Sequence, residues 1–291
     1  MKNSDRNFWN LTKEIAGLDT SKSGAVPDVD ELAQHFAKKM SNGAGCDAEY
    51  YSPPDDHRVP LSSLRIRFKR VLRCLRRVDP DKASNGIGTS FLHHCADELA
   101  PAVDSLFKQI VRESLYPSVW KIGNITGAHK RGSVKVPANY RPIQVLDNLS
   151  SVFEEVISPQ IKAWISAFTL DSQYGFSEKC GTLDYGAALT FTIGDCLERR
   201  GEGILITTDV KGAFDRSWWN MIKVKFKARG MRGRALKLLK SYLYKRFIRV
   251  VSAVGVSKAI EIFSSVPQGG KLSTDLWNFD CNDIEHAISE D

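Results

Sequence analysis

The spacing of apolar positions divides this 291-residue chain into four stretches. Residues 1 to about 60 carry two short helical patterns, FWNLTKEIAG and VDELAQHFAKKM. SNGAGCDAEYYSPPDDHRVP follows, where Gly, Pro and Asp cluster as they do at a boundary. This stretch reads as a lead-in and linker rather than as core. Residues 61 to about 125 read as helices. LSSLRIRFKRVLRCLRR places Leu64, Phe68, Val71, Leu72 and Leu75 at helical spacing. FLHHCADELAPAVDSLFKQIVRESL keeps the helical period through Leu92, Ala96, Leu99, Val103, Leu106, Phe107 and Ile110, and Pro101 is expected to start a second helix there. From 121 to about 200, short strands flank a loop in KIGNITGAHKRGSVKVPANYRPIQVLD, and helices follow in SSVFEEVISPQIKAWI and TLDYGAALTFTIGDCLERR. Residues 203–291 give strand, helix, helix, strand pair, turn and helix, and no segment repeats.

One element of that pattern carries an unexplained charge. ILITTD (204–209) is an apolar, β-branched run that ends on Asp209 and then turns through Lys211 and Gly212 into AFDRSWWN. An Asp at the carboxyl end of a strand lies where ligands bind in mixed α/β sheets. Helix capping is the other use of such an Asp, and Asp215, just before SWWNMIKVKF, suits it better. A phosphatase of the haloacid dehalogenase kind needs D-x-D, but Lys211 occupies the third position. A metal-dependent nucleotidyl transferase needs the Asp as a hard oxygen ligand with aromatic bulk soon after it, which Phe214 supplies.

Charge sharpens this. Between Arg216 and Lys258 stand thirteen basic residues and no acidic one, among them Lys223, Lys225, Lys227, Arg229, Arg232, Arg234, Lys245 and Arg246. Such a run marks a polyanion partner. The segment 61–77 carries seven cations and no acid; a solvated basic face and a second nucleic-acid contact are both open for it. With 42% hydrophobic residues the chain is long enough to bury a core of two packed units. Its six cysteines form no C-x-x-C pair, which argues for reduced thiols in an intracellular protein and against a zinc ribbon or disulfide framework. His93 and His94 are adjacent on a helix and diverge too far to close one tetrahedral metal site. No run approaches the roughly 18 apolar residues of a membrane span, and the N-terminus lacks a signal peptide's apolar centre.

Four blocks then occur in order: KRGSVKVPANYRPIQVLDNLSSVFEEVI, SQYGFSEKCGTLDYGAAL, TTDVKGAFDRSWWNMI and SSVPQGGKLSTDLWNFDCNDI. Together they resemble the reverse transcriptase of non-LTR retrotransposons (LINE-type, jockey-like elements among them). Its blocks read approximately K-K-G…N-Y-R-P-I, Q-x-G-F…T, L-D-x-x-x-A-F-D and V-P-Q-G-S-x-L-S-P. The upstream VDPDKASNGIGTSFLHHCADELAPAVDSLFKQIVRESLYPSVWK is similar to the family's entry segment, so the likeness covers about residues 60–291. Two departures stand out: the aspartate of D-G-I is absent around Asn85, Gly86 and Ile87, and Thr274 occupies the place of the last proline.

The resemblance implies an α+β fold, the fingers and partial palm of a right-handed polymerase with an incomplete ferredoxin-like palm sheet. It divides the chain into a helical lead-in (1–60), an N-terminal extension with fingers (61–202) and a truncated palm (203–291). Asp209, with the backbone carbonyl of Val210, would bind Mg2+, with Mn2+ as the alternative. Phe214 would be the steric gate under the sugar. Arg141, assisted by Lys130 and Arg131, would grip the incoming triphosphate, and Gln268 and Gly269 would lie along nucleotide and template. The implied partners are an RNA template, a DNA primer and deoxynucleoside triphosphates, without a membrane. Nucleus and cytoplasm are expected for the parent element. The family's Y-A-D-D box is expected just beyond residue 291, because Asp280, Asp283 and Asp291 read as ordinary helix or surface acids. Two functions follow: a fragment of an RNA-directed DNA polymerase active only in a longer parent, or a nucleic-acid-binding remnant without catalysis.

Overall fold

A computed structural model describes residues 27–41, 60–82, 85–177, 180–210, 212–253 and 255–282. The expected helix FWNLTKEIAG, most of the linker after it, Lys211, Asp283 and Asp291 lie outside the described residues.

Helix α1 (Val29–Lys39) starts on Asp28, whose carboxylate accepts from the Asp30 N–H at 3.1 Å. It buries Leu32, Ala33, Phe36 and Ala37, one face at helical spacing, against the sheet strands β3 and β5 described below. The carbonyl of Met40 then accepts from the N–H groups of Phe263 (3.2 Å) and Ser264 (2.7 Å). The expected lead-in is therefore corrected: this helix is part of the core and is fastened beside the P-Q-G segment.

The basic helix α2 (Phe68–Arg76) is shorter than its apolar spacing suggests. Residues 61–67 are not helical because their backbone is used elsewhere. Leu61 and Ser62 carbonyls accept from Arg232 (2.9 Å) and Ala235 (3.1 Å), and Leu61 forms an isolated bridge with Met231. Next come α3 (Thr89–His94) and α4 (Ala96–Glu113). The expectation that Pro101 begins a helix is also corrected, since the break falls at Cys95 and Pro101 sits inside α4. There it removes one helical hydrogen bond without stopping the helix, whose face Ala96, Ala100, Val103, Phe107, Ile110 is held by burial.

Strands β1 (Ile122–His129) and β2 (Tyr140–Val145) form an antiparallel hairpin in which Arg141 lies opposite Ala128. β1 also runs parallel to β3 (Arg246–Ser252), and β3 pairs antiparallel with β4 (Gly255–Val256) and β5 (Ile260–Ile262). Helix α5 (Asn148–Ile165) follows β2 directly. Asp147 caps it by accepting from Leu149 (2.9 Å) and Ser150 (3.2 Å). Buried on several faces, α5 is the central post of the molecule. Phe153 packs in an aromatic cluster with Phe107, Tyr116 and Trp120, while Trp164 stacks on Phe226 at 5.5 Å. The remaining helices are α6 (Thr182–Glu198), α7 (Ala213–Arg216), α8 (Trp219–Ala228), α9 (Gly233–Leu243) and α10 (Ser273–Cys281). Burial pushes the Cys74 thiol up to about 11, as suits an unreactive core position. No helix among the described residues is long and apolar enough to cross a membrane.

The fold is α+β, with one expected strand missing. Residues 201–210 are exposed and form no strand. Ile204 is 91% exposed, and α6 just before it buries none of its residues, Leu183 being 89% exposed. The apolar, β-branched content favours a strand, but a strand needs a partner edge. Among the described residues none reaches this segment.

Candidate nucleotide-binding site

The segment after Asp209 turns through Gly212, whose φ of +69° suits a residue without a Cβ, into the short α7. Asp215 lies at its end, and the structure corrects the capping role expected for it. The N-cap of α8 is Trp218, which makes no side-chain capping bond. Asp215 is buried instead, its Oδ1 accepting from Gln268 Nε2 at 2.8 Å and its carbonyl from Ser264 Oγ at 3.1 Å. Burial pushes its carboxyl above the usual carboxylate range, while Lys39, the Gln268 hydrogen bond, Lys130 and Arg216 pull it back.

Gln268 thereby ties the P-Q-G turn to A-F-D. The rest of the segment is stitched in the same way. Ser265 donates to the Ser217 carbonyl (2.8 Å), Val266 to the Phe214 carbonyl (3.0 Å), and Trp219 Nε1 to the Ser265 carbonyl (2.7 Å). The Gln268 carbonyl accepts from the Gln144 N–H at 3.2 Å, which joins the turn to the end of the R-P-I strand. Gly269 closes against that strand with φ +121°; a Cβ there would stand 2.7 Å from the Gln144 carbonyl oxygen. From below, Glu154 on α5 accepts from the Leu272 N–H at 3.3 Å.

Phe214 is half-buried, its ring 5.7 Å from Trp277 and 6.0 Å from Phe176. Packing on two sides fixes its orientation. Arg141 alternates with the buried Tyr140 and Pro142, so it faces solvent, as do Lys130 and Arg131 in the hairpin loop. The Lys130 N–H donates to the Asn139 carbonyl at 2.7 Å and closes that loop. Gln268, Gly269, Phe214 and the R-P-I strand are thus brought together, with the charge of Lys130 felt at Asp215. Asp209 and Val210 are not joined to them; both are exposed, and no hydrogen bond links them to this cluster among the described residues. Among the described residues no three His, Cys, Asp or Glu side chains gather closely enough to hold a metal ion. Asp209 offers one hard oxygen ligand, but the described residues do not complete a metal centre around it.

Three of the basic residues expected at a nucleic-acid surface are interior. Lys225 pairs with Asp280, Nζ to Oδ1 3.5 Å, and donates to its carbonyl. Arg229 lies over the Phe168 ring at 5.3 Å. Arg246 is 1% exposed, donates from Nη1 to the Tyr242 carbonyl at 3.0 Å and lies 5.2 Å from that ring's centre. Each buries its stem with the apolar face of α8 or β3, which a count of charges along the chain does not register. Lys227, Arg232, Arg234 and Lys245 are exposed and Lys223 is half-buried. Glu154 and Gln144 gave no sequence signal, whereas Asp215 stands in the A-F-D block and was open to recognition there.

A family model described as reverse transcriptase (RNA-dependent DNA polymerase) matches residues 128–291. The chain is 31% identical over 175 residues, 59% of its length and 19% of the relative's, to the probable RNA-directed DNA polymerase from transposon X-element of Drosophila melanogaster. It is 28% identical over 178 residues, 60% of its length and 19% of the relative's, to the probable RNA-directed DNA polymerase from transposon BS of the same organism. It is 22% identical over 240 residues, 81% of its length and 26% of the relative's, to the RNA-directed DNA polymerase from mobile element jockey, also of Drosophila melanogaster. The matched region spans about a fifth to a quarter of these curated relatives.

Proposed function

Since the chain belongs to the reverse transcriptase (RNA-dependent DNA polymerase) family, we propose that it forms the nucleotide-binding face of a non-LTR retrotransposon polymerase that adds deoxynucleotides to a primer on an RNA template. The observation that carries this reading is the joining of three distant motifs at one turn: Gln268 to Asp215, and Gln268 to Gln144 on the R-P-I strand. Arg141, with Lys130 and Arg131 beside it, presents cationic donors for a triphosphate, and Arg's planar fork suits its oxygens. Phe214 stands as the gate. Exposed Lys227, Arg232, Arg234 and Lys245, with half-buried Lys223, draw in the template and primer, and the parent element works in nucleus and cytoplasm. Asp209 and the Val210 carbonyl would be ligands for Mg2+ or Mn2+, a cation that would supply Lewis-acid polarisation of the α-phosphate and the primer hydroxyl.

One carboxylate does not hold two octahedral ions. The 291 residues alone are therefore expected to bind a primer-template without extending it, and added Mg2+ should leave their melting temperature unchanged. Primer extension with Mg2+ on the purified chain is the check. Templated extension lost on Asp209→Asn would mean that other carboxylates of the chain complete the centre.

The gate has its own test. In a form extended through the Y-A-D-D box, Phe214→Val removes bulk under the 2′-carbon. Ribonucleotide incorporation should rise about tenfold or more relative to deoxynucleotide, since a few kcal/mol of steric exclusion is removed. Single-nucleotide extension with unchanged sugar discrimination would take Phe214 out of that role.

A further inference from the structure

Beside α5, away from the P-Q-G turn, lies a cleft of about 530 Å³ whose wall carries five cations, Arg65, Arg67, Lys69, Arg70 and Arg73. Its opposite wall is the Pro159 and Ala163 face of α5, and no carboxylate side chain among the described residues lines it. Glu155 meets Arg70 only through its backbone carbonyl, 2.9 Å from Nη2, and its carboxylate stands 4.0 Å from Lys271 Nζ. Arg70 Nε is buried with no acceptor among the described residues, which is an unmet demand for a hydrogen-bond partner. A second cleft of about 490 Å³ opens from the same Pro159 and Ala163 and reaches Phe176, whose ring touches that of Phe214. The two clefts meet at Pro159 and Ala163 of α5, and the second also carries Lys162 and Asp275; together they form one trough.

We propose that this trough is a second nucleic-acid track, holding one phosphodiester strand by its backbone; the inference rests on the nucleotidyl-transfer reading above. The cations share one wall of the cleft. Arg65 and Arg67 stand two apart on an extended segment, so they lie on one side about 7 Å from each other. Lys69 and Arg73 are four apart on α2 and share one helix face. A polyanionic strand fits a wall of positive charge, and each neutralised phosphate releases counterions. A peptide adding as a strand finds no free edge at Arg65, because its N–H and carbonyl are both bonded to the Gln160 side chain at 2.8 Å. A lipid surface is flat, and these walls are concave. The cationic cleft is lined by no aromatic ring, so the strand is gripped by its phosphates and its sequence is not read there.

The test is fluorescence anisotropy of the whole chain with a short labelled oligouridine RNA over a salt titration. Arg65→Ala, Arg67→Ala and Lys69→Ala together should weaken binding about tenfold or more and flatten the log–log salt slope by about 2, roughly 0.7 for each lost contact to a single strand. Ala163→Phe, which fills the trough without touching charge, should weaken binding with the slope unchanged. Lys108→Ala, Arg112→Ala and Arg200→Ala together remove three exposed cations outside the trough and should change little. Full binding by both trough variants overturns the track alone, and equal loss from the two triple variants overturns it in favour of diffuse attraction. No RNA binding by the unaltered chain at low salt would overturn the nucleotidyl-transfer reading as well.

Discussion

In a form extended through the Y-A-D-D box, Asp209→Asn should lower primer extension by at least about a thousandfold, because a ligand that neutralises a catalytic cation supplies several kcal/mol and each 1.4 kcal/mol is a factor of ten. The amide keeps the size of the side chain and removes only its charge. Asp209 is exposed and residues 201–210 join no strand among the described residues, so the melting temperature should stay within about 1 °C, as for other exposed sites. Primer-template affinity should stay within a few-fold, since the basic surface is untouched. Rapid-quench single-nucleotide extension beside a thermal melt separates the outcomes. An asparagine variant that extends at near-normal rate would remove Asp209 from the metal-binding role.

Arg246→Ala is expected to damage folding rather than nucleic-acid binding. Glu154 is 0% exposed, and burial pushes its carboxyl upward, against the lowering influence of the Leu272 N–H and the Arg246 charge. Removing the arginine empties a fully buried site, breaks its hydrogen bond to the Tyr242 carbonyl and takes away a cation whose charge acts on buried Glu154, a loss of about 2–4 kcal/mol. At a few degrees per kcal/mol for a chain of this size, the midpoint should fall by roughly 10 °C. Lys227→Ala, at an exposed position on α8, should leave it nearly fixed. A double variant, Arg246→Met with Glu154→Leu, should recover much of the loss, because two apolar groups leave no charge stranded. If Arg246→Ala melts normally and binds RNA less well, Arg246 belongs to the nucleic-acid surface after all.

The contrast between these residues shows how far sequence carried. Helical spacing located α4, α5, α6, α8, α9 and α10, because in each the apolar residues or the caps follow the backbone period regardless of what lies around them. The order of motifs located Phe214, Gln268 and the R-P-I strand. What spacing did not supply was tertiary: that VDELAQHFAKKM packs on the sheet, and that Lys225, Arg229 and Arg246 turn inward to Asp280, Phe168 and Tyr242. A cation's sign is legible in a string of letters, but its direction is set by which partner waits beneath it. The same limit applied to ILITTD, whose composition is that of a strand although a strand is a property of pairs.

The bare segment before Asp209 carries an ordering cost under the metal-binding role proposed for it. Fixing one residue's backbone costs about 1–2 kcal/mol, and a carboxylate carried on an unpaired run of chain must have that ordering supplied before it can bind a cation in fixed geometry. Under the proposed metal-binding role, pairing of residues 203–209 with a neighbouring strand and the readying of Asp209 for a cation would be one event, so the ordering of the segment would count against the affinity for the ion.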